Sequence, residues 1–254
     1  MKIPILKKQK NKKLLNKKFK KKMYSNFKTK REGEDIHIIP KATHTETLIW
    51  LHGLGDSAEG FFPVFSSEMN PCLPTTKIVL LTAPIRKVTI NMGMQFHSWY
   101  DIRDLQFDEA SFEKNINLQE VKESIDRVNQ VIEQEVKLLN GDYSRIVIGG
   151  FSQGCSISLS AGLQFNKTLG GVIGFSGLLF PNVVVSKENE NTPILLSHGR
   201  LDPLIPCVLA EKSYEKLDKK KHNLKIYIDE VLDHGLGSYS LKWFKDFWAG
   251  IFKK

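Results

Sequence analysis

Beyond about residue 34, short apolar runs alternate with longer segments in which apolar side chains return every third or fourth position. The short runs are Asp35–Ile39, Thr47–His52, Lys77–Thr82, Arg145–Gly149, Gly171–Phe175, Ile194–Ser197 and Leu224–Ile228. Several are almost continuously apolar, as a strand buried on both faces requires. After Asn117, the residues Leu118, Val121, Ile125, Val128, Ile132 and Leu139 form the stripe of an amphipathic helix. Asn117 followed by Glu120 matches a capping box, and Asn140-Gly141 is a stop signal. The pattern predicts further helices over Cys155–Phe165, Val208–Leu217 and Gly237–Gly250. Strands and helices in alternation make a mostly parallel central sheet with helices on both faces. The expected class is α/β, with one domain over residues 34–254 and no internal repeat.

Charge divides the chain differently. Its 254 residues carry a formal charge of +9, but residues 1–31 hold thirteen lysines and Arg31 with no acidic residue. That segment is at +14, which leaves the rest mildly acidic at −5. Such a like-charge block repels itself and buries little, so residues 1–33 are expected to form a disordered basic extension. Leu15, Phe19 and Met23 recur at helical spacing there, which allows a second reading as a weak amphipathic helix on an anionic membrane surface. No nucleic-acid partner is expected from the extension alone. It lacks the apolar core of a secretory signal, and no run in the chain approaches the ~20 apolar residues of a membrane span. Cys72, Cys155 and Cys207 are widely spaced and odd in number, which suits a reducing compartment better than a disulfide framework. The expected location is cytoplasmic, with peripheral contact to membranes.

The loops after the predicted strands hold the candidate chemistry, because ligands of open α/β sheets bind beyond the carboxyl ends of their strands. "GFSQG" (150–154) places Ser152 between two glycines directly after an apolar strand, the pattern of a nucleophile held on a sharp strand-to-helix turn. A serine hydroxyl needs a base to take its proton and an anion to orient that base. Asp202 and His234 follow two later strands and complete the chain order Ser, Asp, His of the α/β-hydrolases. The N–H groups of Leu54, in "HGLGD" (52–56), and Gln153 are the expected oxyanion donors. His52, His97, His198 and His222 compete with His234 for the role of base, but only His234 follows the last strand. Asp229 and Asp233 are alternatives to Asp202, and Ser176 ends a strand without the two-glycine turn.

Four blocks in order, "HGLGD", "NMGMQFHSWYDI" (91–102), "GFSQG" and "HGRLDPLIP" (198–206), resemble the motifs of the acyl-protein thioesterases within the wider carboxylesterase and lysophospholipase family. The resemblance runs from about residue 36 to the end. It implies an α/β-hydrolase fold and a cytosolic serine hydrolase that removes long acyl chains, notably palmitate, from protein cysteine thioesters. Lysophospholipids and simple oxygen esters are the alternative substrates, and an inactive binding protein of the same fold is a third reading. By this pattern Ser152, Asp202 and His234 match the triad, with Leu54 and Gln153 at the oxyanion hole. Three features depart from it. Arg200 replaces an acidic residue, "GFSGLLFP" (174–181) lacks the usual aromatic, and "VLDHGLGS" (231–238) flanks the histidine unusually. Met92, Met94, Phe96, Trp99 and Tyr100 crowd one loop, so Met92, Met94 and Trp99, with Leu178, are expected to contact the acyl chain. No metal-ligand spacing and no phosphate-cradling glycine loop occurs, and no cofactor is expected.

Overall fold

The structure, a computed structural model, describes residues 27–105, 111–217 and 223–252. The proposed amphipathic stretch of the N-terminal extension and His222 lie outside these residues. Eight strands form one sheet in the order β1-β2-β4-β3-β7-β8-β9-β10. They are β1 (Phe27–Glu32), β2 (Asp35–Pro40), β3 (Glu46–Leu51), β4 (Thr76–Leu81), β7 (Ile146–Phe151), β8 (Gly171–Phe175), β9 (Ile194–Gly199) and β10 (Leu224–Asp229). From β4 to β10 all neighbours are parallel, while β1, β2 and β4 pair antiparallel. A separate hairpin pairs β5 (Ile85–Val88) with β6 (Met94–His97).

The parallel strands β3, β4 and β9 are buried at every position, which explains their continuous apolar runs. On one face Trp50 packs against Phe61, Phe65, Phe175 and Phe244, with ring centroids 5.3–5.9 Å apart. These residues come from α1 (Ala58–Phe65), from β8 and from the C-terminal helix Ser238–Phe252. The helices Leu118–Lys137 and Gln153–Gln164 cover the other face, where Val128, Ile132, Ile148 and Leu159 are fully buried. Asn117 caps the first of these by accepting from the Glu120 N–H at 3.3 Å. The Glu120 carboxylate does not close the box. It accepts instead from the Asp101 N–H at 2.6 Å, tying this helix to the loop after β6.

Two expectations change here. Phe27–Glu32, assigned above to the disordered extension, is a strand in register with Asp35–Pro40 around the Gly33 turn, where φ is 61°. Lysines on an edge strand keep their ammonium groups in water while the backbone pairs, so charge alone did not exclude a strand. The segment around Met92 is also not an irregular loop. It is the turn of the β5–β6 hairpin, with Met92 and Gly93 both at positive φ.

Candidate active site

Strand β7 ends at Phe151, and Ser152 follows at φ 55°, ψ −117°, a strained conformation for a residue with a Cβ. The two flanking glycines make this turn sterically feasible. A Cβ on Gly150 would lie 2.3 Å from the Gly154 carbonyl oxygen, and one on Gly154 would lie 2.4 Å from that of Leu51. The helix therefore starts directly against β3 and pushes the Ser152 side chain out beyond the sheet. The Ser152 N–H donates to the Phe175 carbonyl at 2.8 Å, which fixes the turn to the neighbouring strand.

His234 reaches this hydroxyl from the loop after β10. Its Nε2 lies 2.9 Å from Ser152 Oγ, and its Nδ1 lies 2.7 Å from Oδ2 of Asp202. The Asp202 side chain is fully buried. Its Oδ1 accepts from the N–H groups of Leu204 and Ile205 at 2.9 and 2.8 Å. The Asp202 carboxylate therefore stays oriented, and the His234 ring holds one tautomer, with Nδ1 protonated and Nε2 turned to the serine. Gly199 lets the two loops approach, since a Cβ there would stand 2.3 Å from the carbonyl oxygens of Leu232 and Asp233. Ser176, at φ 49°, donates through its hydroxyl to the Gly235 carbonyl at 3.1 Å and so braces the histidine loop.

The remaining candidates fall elsewhere. Asp233 is exposed, and Asp229 caps the Val231 N–H. Arg200 turns away to Glu211 and Glu230, at 3.2 and 3.3 Å. His97 donates to the Ala83 carbonyl. His52 accepts from the Ala83 N–H at 2.9 Å and donates to the Gly53 carbonyl at 2.6 Å. Burial pushes its pKa down to about 4, so it stays neutral and can make both bonds. His52 thereby shapes the "HGLGD" turn, which passes over the serine so closely that a Cβ on Gly53 would lie 3.2 Å from Ser152 Cβ.

Among the described residues no protein acceptor takes the backbone N–H of Leu54 or Gln153, and both residues border the same pocket as Ser152. The Gln153 side chain has a role that its place in the motif did not signal. Its Oε1 accepts from the Trp99 N–H at 2.7 Å, and its Nε2 donates to the Tyr100 carbonyl at 2.6 Å. It thus locks the loop after β6 against the turn that carries Ser152.

The pocket holds about 370 Å³ and includes Ser152 and His234. Leu178 lines it, together with Ile90, Tyr100, Ile102, Phe180 and Leu204. Met92, Met94 and Trp99 do not. Met92 sits at the hairpin turn with 87% of its surface exposed, and Met94 points to solvent beside it. Trp99 is fully buried, donates from Nε1 to the His52 carbonyl at 2.8 Å, and lies under the Arg127 guanidinium. Strand alternation and the positive φ at Met92 set these directions, and neither is visible without knowing that the segment is a hairpin.

Residues 34–249 match the profile of the phospholipase/carboxylesterase family, which is most of the chain. The chain belongs to that family. The family protein named acyl-protein thioesterase 1 from Yarrowia lipolytica is 34% identical over 209 residues, covering 80% of this chain and 90% of that protein. Its namesake from Schizosaccharomyces pombe is 38% identical over 188 residues, covering 72% and 80%. Among solved structures, Arabidopsis thaliana SOBER1 superposes with a TM-score of 0.70 at 27% identity, over 81% of this chain and 98% of that one. Zea mays acyl-protein thioesterase 2 shares the fold at 23% identity, with a TM-score of 0.68 over 85% and 100%. The architecture is thus the α/β-hydrolase fold, and this family member is a serine hydrolase. No helix among the described residues is long and apolar enough to cross a membrane.

Proposed function

We propose that residues 34–254 form an acyl-protein thioesterase domain in which Ser152 is the nucleophile, His234 the base and Asp202 its orienting acid. The observation that carries this reading is the unbroken line Ser152 Oγ, His234, Asp202 at 2.9 and 2.7 Å on the wall of an apolar pocket. The serine oxygen attacks the thioester carbonyl while its proton passes to His234 Nε2. Leu54 and Gln153 N–H groups hold the oxyanion, and the C–S bond breaks as His234 protonates the leaving cysteine sulfur. A water then gives one proton to His234 and its hydroxide to the acyl carbon. The Ser152 ester is released as the free fatty acid, and the hydroxyl recovers its proton. Leu178, Ile102 and Phe180 offer the acyl chain an apolar wall, and each buried methylene contributes about 0.8 kcal/mol. These steps use side chains and backbone alone, with no cofactor.

Rates on an S-palmitoylated peptide, lysophosphatidylcholine and short nitrophenyl esters test this. The thioester should have the highest kcat/KM, and a tenfold preference for the oxygen esters would make the protein a carboxylesterase or lysophospholipase instead.

A second observation supports peripheral contact with a cytoplasmic membrane surface, where such substrates lie. Ile85, Met92 and Met94 expose 59%, 87% and 48% of their surfaces on the hairpin. Apolar groups held out in water favour insertion at a lipid interface, and the lysine-rich segment adds attraction to anionic lipid. Co-sedimentation with phosphatidylcholine vesicles should weaken in M92D/M94D. The extra binding gained on adding phosphatidylserine should vanish when residues 1–23 are deleted. If the full chain binds neither vesicle, the membrane reading fails.

A further inference from the structure

One oxygen of the Asp202 carboxylate is shared by two imidazoles. Oδ2 lies 2.7 Å from His234 Nδ1 and 3.1 Å from Nε2 of His198, a fully buried side chain in β9. The same Nε2 lies 2.8 Å from the Ile205 carbonyl oxygen. Both neighbours of Nε2 are acceptors, so Nε2 carries the ring proton and donates to them. Nδ1 is buried and has no partner among the described residues. A second proton there would be a charged donor with nothing to receive it. Burial accordingly lowers the His198 pKa, and the Ile205 carbonyl and Asp202 oppose this only in part. The charge of His234 lowers it further, and that of Glu211 raises it. His198 is therefore a neutral donor beside the acid.

We propose that His198 is a positioning residue for the hydrolysis. Its Nε2–H bridges the Asp202 carboxylate to the Ile205 carbonyl, and it takes up part of the charge that Oδ2 would otherwise turn wholly on His234. The proposal rests on the roles given above to Ser152, His234 and Asp202. Loss of this donor frees the carboxylate to turn about its side-chain bond. It also leaves Oδ2 with His234 as its one remaining side-chain donor.

The variants His198→Gln and His198→Asn separate this from a packing role. The glutamine amide nitrogen stands as many bonds from Cβ as Nε2 does, whereas the asparagine amide stands where the unpartnered Nδ1 is. The readout is the rate of fluorophosphonate labelling at Ser152, which needs no natural substrate. If the wild-type serine does not label, the triad assignment itself fails, and that outcome is distinct from a failure of this inference. In His198→Asn the labelling rate should fall about tenfold, the size expected for one lost hydrogen bond to a charged group. His198→Gln should restore it. An asparagine variant with the wild-type rate, or equal losses in the two variants, would overturn the proposal. Ring-nitrogen NMR of the wild type gives an independent check. His198 should carry a proton on Nε2 alone in the active enzyme, and a proton on Nδ1 would overturn the assignment even if neither variant folds.

Discussion

Replacing Ser152 by alanine is expected to lower kcat by about a million-fold, while leaving the melting temperature within a few degrees of wild type. The backbone at this position is at φ 55° in either variant, so alanine meets the same strain that serine does, and the turn remains closed by Gly150 and Gly154. Only the hydroxyl is lost. His234 Nε2 then faces no protein donor, and its bond to Asp202 is untouched. What activity remains comes from the oxyanion donors and the pocket acting on a bound water, worth about a thousand-fold or more over solution. Steady-state hydrolysis, labelling by a fluorophosphonate and a thermal melt on the same preparation check this. Retained labelling in Ser152→Ala would place the nucleophile elsewhere.

Asp202→Asn should cost about ten-thousand-fold in kcat, and it should also destabilise the fold. All four groups that the carboxylate meets are donors: the N–H groups of Leu204 and Ile205 on Oδ1, and the imidazoles of His234 and His198 on Oδ2. An amide offers one acceptor and one NH₂, so one pair must face a donor with a donor. If the NH₂ turns to the histidines, His234 must shift its proton from Nδ1 to Nε2 and cannot accept from Ser152. If it turns to the backbone, the loop 202–205 loses two hydrogen bonds in a buried site, costing about 1–3 kcal/mol for each unsatisfied group. Kinetics and denaturant unfolding should therefore both move. A variant within tenfold of wild-type kcat would show that His234 does not depend on this carboxylate.

Ser152, Asp202 and His234 are legible as candidates in the sequence because each stands just after a strand whose apolar run is unmistakable. The glycines around Ser152 mark a place where the backbone has no room for a Cβ, and that constraint is written locally in the chain. The guanidinium of Arg200, an oddity in the motif, pairs with Glu211 and Glu230. His198 and the side chain of Gln153 carry no such local mark. Their partners, Asp202 and the backbone of Trp99 and Tyr100, are set by loop packing and not by any periodicity.

The alternation of buried strands with an amphipathic helix, and the chemical identity of serine, aspartate and histidine at strand ends, were settled by residue order alone. Both depend on backbone geometry that repeats over a few residues. Which side chains face the pocket was settled only by the packed chain. Met92 and Met94 point to water and Trp99 points into the core, while Leu204 and Ile90, from segments more than a hundred positions apart, meet beside Ser152. Extended hairpins carry no apolar period strong enough to fix their outward face, and a pocket wall is assembled from ends that touch only after the sheet has formed. The fold of Phe27–Glu32 has the same origin, since a lysine-bearing strand becomes ordered through the partner it pairs with.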